Sequence, residues 1–185
     1  MGLVNRGRLV DILFIFVIFV LINIILFMMY ESISFGVTRR SDFDYVRKLA
    51  EKDKLELSDD EQEVLDLVNK YRKENGLDEL SAFSKLQDVA KLKAMDLVEN
   101  EYFSHISERL GTPFEMLENN GVVYTIAGEN LARGSSIEKV VEAWINSPLH
   151  RDNILEKKFE YTGICVVESD TYGKVFVQLF MGVNE

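Results

Sequence analysis

The chain begins with a long apolar segment. Residues 12–30 read ILFIFVIFVLINIILFMMY and contain no charged side chain. A helix of this length covers roughly the 30 Å hydrocarbon core of a bilayer. The polar stripe that marks a surface helix of a globular domain is missing from this segment. The pattern therefore predicts an N-terminal transmembrane helix, and we assign residues 1–30 to a membrane anchor.

The sequence on either side of the apolar segment indicates its orientation. The segment is longer than the ~7–15 residues typical of a signal peptide, and no small-x-small cleavage site follows it. Arg6 and Arg8 precede the segment, which favours a cytoplasmic N-terminus. Arg39 and Arg40 follow it at a greater distance and oppose that orientation. We expect an uncleaved single-pass anchor with the C-terminal body outside the cytoplasm.

A polar segment follows the anchor. Residues 31–60 mix acidic and basic side chains, with SDFDYVRKLAEKDKLELSDDE at their centre. The composition is typical of a charged stalk or linker that contains one short helix. The alternative is that this helix packs on the domain that follows.

Residues 61–185 carry the hydrophobic periodicity of one folded domain. Ser135 and Glu138 have the spacing of a capping box, and Pro113 and Pro148 stand where a proline can occupy the first turn of a helix. Apolar residues at helical spacing, together with these signals, predict helices over 61–75, 84–100, 113–120 and 136–146, and a short helix from 148.

The C-terminal part of the domain has the composition of β-strands. Residues 161–168 and 174–181 are rich in β-branched and aromatic residues and are separated by SDTYG, which predicts an antiparallel hairpin. Residues 124–132 are a candidate for a further strand. Helices followed by strands predict an α+β domain in which helices cover an antiparallel sheet.

Composition and charge exclude several classes of protein. The single cysteine, Cys165, excludes an intrachain disulfide framework and a cysteine-rich metal cluster, and we expect it to be a small buried hydrophobe. The net charge of −10 argues against nucleic acid as a partner, because phosphate binding needs clustered Lys and Arg. Without residues 1–30 the chain carries 19 basic and 30 acidic residues, a net charge of −11. Anionic head groups would therefore repel the body.

The candidate chemistry centres on the two histidines of the chain, His105 in YFSH and His150 in VVEAWINSPLHRDNIL. GTPF and GENLA lie between them. In this order and spacing the motifs resemble the CAP superfamily of cysteine-rich secretory proteins, antigen 5 and plant pathogenesis-related proteins, also called the SCP domain. The resemblance covers about residues 61–182. It is strongest to the short, cysteine-poor microbial members, because the disulfide cysteines and the C-terminal extension of eukaryotic members are absent.

The resemblance implies an α-β-α sandwich with a cleft that holds two histidines and two acidic residues. By motif position the cleft residues are His105, His150 and Glu129 of GENLA. The second acid is Glu115 in TPFEML, with Glu108 and Glu118 near enough to compete for the role.

Three uses of such a cleft are open from the residues alone. His105 and His150 could ligate zinc or another divalent cation, with the carboxylates completing the site. The histidines and carboxylates could instead act as a general acid and base, or form a polar network that shapes a ligand cleft without turnover. His150 is expected to be the third residue of its helix, whose positive end disfavours the imidazolium form. No catalytic residue can be assigned, since HExxH and GxSxG motifs are absent.

We therefore expect a membrane-anchored, extracytoplasmic ligand-binding module whose ligand is a lipid, a cell-envelope component or a peptide. The alternative is a metal-dependent hydrolase or protease that uses the same cleft. A third hypothesis is an envelope protein whose cleft has no ligand. Trp144 is expected in the core, and Arg151 and Asn153 are expected to have structural roles.

Overall fold

The computed structural model describes residues 21–22, 24–26, 41–53 and 55–183. Most of the predicted anchor and the first part of the predicted stalk lie outside the described residues. None of the helices in the described ranges is both long enough and apolar enough to cross a membrane. Residues 41–52 form a helix, α1, at the place where the charged segment predicts a short one.

The chain divides into two compact units, Met1–Asp44 and Tyr45–Glu185. The second unit contains every element after α1. Its helices agree with the predicted ones to within two residues at each end, and their bounds are α2 Asp59–Glu74, α3 Ser84–Glu99, α4 Pro113–Asn119, α5 Ile137–Asn146 and α6 Pro148–Ile154.

The described strands form one four-stranded sheet in the order β1-β3-β4-β2. β3 and β4 make the predicted hairpin, and β2 pairs antiparallel with β4 at the edge. β1 was not predicted; it runs parallel to β3, so the sheet is mixed rather than purely antiparallel. β2 begins two residues later than predicted. The strand bounds are β1 Ser81–Ala82, β2 Ile126–Gly134, β3 Tyr161–Ser169 and β4 Gly173–Gly182.

Helices cover both faces of the sheet. One core cluster joins α2 and α5 to the sheet through Trp144, Phe176 and Phe180, all nearly fully buried. On the opposite face α3 packs against β3 and β4. The approach of α3 depends on Gly163, because a Cβ atom there would lie 2.2 Å from the carbonyl carbon of Leu86. The observed fold is therefore the expected α-β-α sandwich.

The start of α5 differs from the prediction, and the start of α6 agrees with it but has no side-chain cap. The N-cap of α5 is Ser136, whose hydroxyl accepts from the amide of Lys139, so Ser135 and Glu138 do not form the predicted capping box. The hydroxyl of Ser147, which precedes α6, makes no capping bond and instead contacts the ring of His150. The same residue type at a helix start therefore has two different uses.

Candidate functional site

The candidate site lies along β2, the edge strand of the sheet. Successive residues of a strand point to opposite faces. Glu129 points to the side of α3, and the next residue, Asn130, contacts α6 on the other side. The GENLA motif therefore provides side chains to both layers of helices from a single strand.

His105 and Glu129 form the central pair of the site. Nδ1 of His105 lies 2.7 Å from Oε1 of Glu129. The Glu129 side chain is 2% exposed, whereas that of His105 is 54% exposed. When Glu129 is ionised it only accepts hydrogen bonds, so Nδ1 carries a proton. A neutral His105 ring then has its lone pair at Nε2, on an exposed side chain.

Glu129 also provides an unused acceptor. Its Oε2 is buried and has no hydrogen-bond partner among the residues that the structure describes. An unsatisfied buried acceptor costs about 1–3 kcal/mol, and such groups are few in folded proteins. Oε1 of Gln178 on β4 is another one among the described residues. Oε2 of Glu129 therefore retains acceptor capacity, and a bound molecule reaches it only when the side chains that cover it move.

Lys93 holds the loop that carries His105. Its side chain is fully buried on α3. Nζ donates to the carbonyl oxygens of Ser104 (2.8 Å) and His105 (3.1 Å) and to the hydroxyl of Tyr102 (3.1 Å). Burial lowers the pKa of Lys93, and the negative charges of Glu129 and Asp96 partly offset this effect. The ammonium group therefore connects the loop to the acidic part of the site.

A second buried charge, Asp96, holds the other half of the loop. It accepts hydrogen bonds from Tyr102 (2.5 Å), Ser107 (2.6 Å) and Arg109 (3.0 Å). Burial alone would raise the pKa of Asp96, but these hydrogen bonds lower it below the ordinary value. Burial and the hydrogen bond to Asp96 raise the pKa of Tyr102 to about 12.

Lys93 and Asp96 were not predicted as site residues, although the hydrophobic pattern of α3 contained a signal for them. Leu86, Val89, Ala90, Ala94 and Leu97 define the buried face of α3. Lys93 falls on this face and Asp96 at its border, where a solvated charge is not expected. Charged residues within an apolar stripe indicate a buried polar network, and this one supports His105.

His150 reaches the site from α6. Its Nδ1 lies 3.0 Å from the hydroxyl of Ser147. The pKa of His150 is lowered, first by burial and second by the His105 imidazole, so the two rings are near enough to interact. The predicted lowering of the His150 pKa is confirmed, and His150 is the third residue of α6, as expected. Burial and the His105 imidazole act in the same direction as the helix terminus was expected to act.

Asparagines connect α6 to β2. Nδ2 of Asn130 donates to the carbonyl oxygen of His150 (3.0 Å). Nδ2 of Asn153 contacts the Asn130 side-chain oxygen (2.9 Å) and the Glu129 carbonyl (3.2 Å). Arg151 contacts the carbonyl oxygen of Ile145 at 3.5 Å. The expected structural roles of Asn153 and Arg151 agree with these contacts.

Glu115 has a different position from the other three predicted residues. It is exposed, and its Oε2 accepts from the amide (2.7 Å) and the hydroxyl (2.9 Å) of Thr112 in a capping box at the start of α4. These hydrogen bonds lower the pKa of Glu115. Within the described part of the chain, no hydrogen bond or ion pair joins Glu115 to His105, Glu129 or His150.

The competing acids also have separate surroundings. Glu118 accepts from the hydroxyl of Tyr124 at 3.3 Å. Glu108 lines a pocket of about 500 Å³ beside the loop, together with Ser104 and Ile106. The structure thus brings together His105, Glu129 and His150. Among the described residues, none of Glu108, Glu115 and Glu118 makes a hydrogen bond or ion pair to these three residues.

The donor atoms near the cleft do not make a complete zinc site. In the parts of the chain that the structure describes, no group of three His, Cys, Asp or Glu side chains is arranged to hold a metal ion. Catalytic zinc sites normally have three protein ligands. His105 and His150 each use Nδ1 for another contact and retain Nε2. Two imidazoles alone do not fit a resident zinc ion.

Comparison with known proteins gives matches over most of the domain. A sequence profile of the cysteine-rich secretory protein family, CAP, matches residues 65–180. The uncharacterised protein YkwD of Bacillus subtilis is 40% identical over 123 residues, which cover 66% of this chain and 47% of that protein. The uncharacterised membrane protein YlbC of the same species is 36% identical over 107 residues, which cover 57% of this chain and 31% of that protein. The chain spans less than half the length of each relative.

A solved structure extends the comparison to the fold. It is a crystal structure of an extracellular protein from Bacillus anthracis that contains an SCP domain, and it has a TM-score of 0.61 and 34% sequence identity. The match covers 66% of this chain and 40% of the other one. The similarity therefore applies to the domain and not to the whole of the longer protein.

Proposed function

The chain belongs to the CAP family of cysteine-rich secretory proteins, and on that premise we propose that it is a membrane-anchored, extracytoplasmic ligand-binding module. Its binding cleft contains His105, Glu129 and His150. The ligand is a lipid, a cell-envelope component or a peptide. Residues 1–30 hold the domain at the membrane, and the charged segment after them leads into the compact unit that begins at Tyr45.

One observation carries the proposal of a binding cleft: an exposed imidazole is fixed by a buried carboxylate that retains a free acceptor. The 2.7 Å contact orients His105, and Oε2 of Glu129 has no partner among the described residues. A ligand with a hydrogen-bond donor satisfies Oε2 and contacts Nε2 of the ring. The contact with Glu129 preorganises the exposed imidazole, whereas a donor to Oε2 requires the side chains over this atom to move.

Apolar side chains beside both histidines support an amphipathic ligand. Ile106 follows His105 and is 61% exposed, and Leu149 precedes His150 and is 80% exposed. Polar groups in a cleft fix the orientation of a ligand, while apolar contacts supply much of the binding free energy. A lipid, an acylated envelope component or a peptide with apolar residues has this combination of groups.

The predicted anchor and the names of two similar proteins support the proposed location of the module. One relative is named a membrane protein, and the solved SCP domain belongs to a protein described as extracellular. Arg6 and Arg8 favour a cytoplasmic N-terminus, which would place the domain outside.

Binding assays with the full chain in nonionic detergent test the proposal. The probes are a fluorescent long-chain fatty acid, a disaccharide–peptide fragment of the cell wall and a library of unstructured peptides. We expect saturable binding of at least one probe, weakened at least tenfold by His105→Ala and by Glu129→Gln. Glu115→Gln is the matched control, because it removes one carboxylate that has no hydrogen bond or ion pair to His105, Glu129 or His150 among the described residues. Failure of all three probes to bind, or equal weakening by the control, would refute the proposal.

The second candidate is a metal-dependent hydrolase or protease in the same cleft. The two Nε2 atoms of His105 and His150 favour it, since lowering the pKa of His150 increases the neutral form that metals bind. It ranks second because a third protein ligand is missing from the described residues. Calorimetric titration with zinc tests it, with binding expected to be lost in His105→Ala and His150→Ala. Turnover of the peptide library that Glu129→Gln abolishes would place the hydrolase first.

A further inference from the structure

A cluster of one arginine and two aromatic rings lies near the cleft. The guanidinium carbon of Arg133, at the end of β2, is 5.3 Å from the ring centre of Phe103 and 5.1 Å from that of Tyr172. The two ring centres are 6.3 Å apart, with an angle of 59° between the ring planes. Phe103 comes from the loop after α3, and Tyr172 from the turn between β3 and β4. Three separate segments therefore fix the position of one guanidinium group.

The N–H groups of the Arg133 guanidinium have no acceptor among the residues that the structure describes. Arg133 is exposed, and no hydrogen bond or ion pair to its side chain is found among the residues that the structure describes. The aromatic rings interact with the face of the guanidinium and do not accept at its N–H edge in the manner of a carboxylate. What distinguishes Arg133 is that two aromatic rings hold its guanidinium group while the N–H edge stays available.

The cluster lies on the same face of β2 as the His105–Glu129 pair of the cleft. Glu129 and Arg133 are four residues apart on the strand, so their side chains share one face and are separated by roughly 13 Å. His105 contacts Glu129, and Phe103, two residues earlier in the loop, contacts Arg133. The loop therefore runs antiparallel to β2, and the imidazole and the guanidinium lie along one continuous surface.

We propose that Arg133 is an anion subsite that binds a carboxylate or phosphate group of the ligand. The planar fork of a guanidinium matches both groups with paired N–H donors, and a fork held in place by neighbouring rings loses less conformational entropy on binding. The inference rests on the proposed function, since it assigns an anionic group to the ligand of the His105 cleft. That ligand is extended, with its anion roughly 13 Å from the part that contacts Glu129.

NMR titration of the full chain in nonionic detergent tests the subsite. Inorganic phosphate and acetate are added separately at constant ionic strength, and the backbone amide signals of residues 103, 133 and 172 are followed with the Nε–Hε signal of Arg133. We expect a saturable shift confined to this cluster. Tighter binding of phosphate assigns the subsite to a phosphate group, and tighter binding of acetate assigns it to a carboxylate.

Variants separate binding by Arg133 from general charge effects. Arg133→Gln is expected to weaken anion binding at least tenfold, and Arg133→Lys, which keeps the charge without the fork, about threefold or more. Tyr172→Leu keeps the arginine but removes one ring, and should weaken binding severalfold. Lys139→Gln, an exposed lysine on α5, changes the net charge equally and should have no effect.

Two results of the anion titration would contradict the subsite. A shift that does not saturate, or that persists in Arg133→Gln, would overturn the subsite and leave Arg133 as a structural link between the loop and the hairpin. His105→Ala distinguishes the two proposals, because it should abolish binding of the cleft probes while the anion titration at Arg133 stays unchanged. If the wild-type chain binds none of the cleft probes but still gives the saturable anion shift, the proposed function fails and the anion subsite stands.

Discussion

At the scale of single residues, the two histidines of the cleft have different surroundings. The His105 side chain is more than half exposed and is fixed by a buried carboxylate. His150 is half-buried, its Nδ1 contacts a neutral hydroxyl, and it has no carboxylate partner in the described residues. An imidazole that is removed from water without a negative partner is favoured in its neutral form. The two rings therefore offer a ligand different groups within one cleft.

The lowered pKa of His150 predicts a pH dependence of stability. The pKa in the folded state lies below the unfolded value of 6.5, so the unfolded chain binds more protons between these values. The stability that neutral His150 contributes is complete above pH 6.5 and is lost as the pH falls through the folded-state pKa. Urea unfolding followed by the fluorescence of Trp144 should give a lower unfolding free energy at pH 5.5 than at pH 7.5.

His150→Gln is the control for this pH dependence. The variant has no group that titrates at this position, so the decrease between pH 7.5 and 5.5 should become smaller. An unchanged decrease would show that other groups cause it. A stability that increases on acidification would contradict the direction of the pKa shift.

Lys93 should contribute to both stability and the position of His105. Lys93→Met removes donors to two loop carbonyls and leaves the buried charge of Asp96 with less compensation. We expect a loss of about 2–4 kcal/mol in the free energy of unfolding, the range for breaking buried polar contacts. The chemical shift of the His105 ring protons should also change. Lys91→Met, an exposed neighbour on the same helix, should cost less than about 0.5 kcal/mol.

Most of the residues at the cleft could be predicted from motifs, but their partners could not. His105, Glu129 and His150 stand in short motifs that the sequence displays directly. The contact between His105 and Glu129 depends on a loop whose path is set by Lys93 and Asp96 from inside the domain. Periodicity identifies the buried face of α3 but does not show which backbone groups a buried charge will meet.

At the scale of elements, the start of α4 explains the position of Glu115. Gly111 has a φ of 80°, a backbone conformation that favours glycine, and a Cβ atom there would lie 2.5 Å from Oε2 of Glu115. The chain can therefore fold the Glu115 carboxylate back onto Thr112. The GTPF sequence and Glu115 form one helix-start unit, which is a reason for an acid at this position that is independent of the cleft.

The capping box predicts separate effects for stability and binding. Thr112→Ala removes the N-cap hydroxyl and should lower the free energy of unfolding by about 1 kcal/mol. Glu115→Gln should also destabilise the domain, because it replaces the carboxylate that accepts from Thr112. Neither variant should change the affinity of a cleft probe. A tenfold loss of affinity in Glu115→Gln, with the fold intact, would return Glu115 to the cleft.

The elements that sequence patterns predicted well are those with strong local signals. α2 ends at Asn75, and Gly76 follows with a φ of 73°, as the Asn-Gly pair predicts. β1 is two residues long and has no periodicity to detect; it exists because Ser81 and Ala82 meet Tyr161 and Thr162 of β3. Short pairings of this kind depend on tertiary contacts, so no local pattern could have predicted them.

At the scale of the whole molecule, the sandwich brings separate helix layers to one sheet edge. The loop after α3 supplies His105 from one face of the sheet, and α6 supplies His150 from the other. β2 lies between them and contributes Glu129 to the first layer and Asn130 to the second. An edge strand permits this arrangement because one of its sides has no neighbouring strand in the described sheet. The cleft is therefore a product of the topology as well as of the motifs.

The orientation of the apolar segment determines which side of the membrane holds the domain. Arg6 and Arg8 lie before the apolar segment, and positive residues near a span are retained in the cytoplasm. Protease added to intact cells, after removal of any outer wall that blocks access, should therefore remove a C-terminal tag and spare an N-terminal one. A cytoplasmic marker protein must remain intact in the same sample. Protection of the C-terminal tag until the cells are lysed would place the domain in the cytoplasm, because the apolar segment would then run in the opposite direction or not cross the membrane.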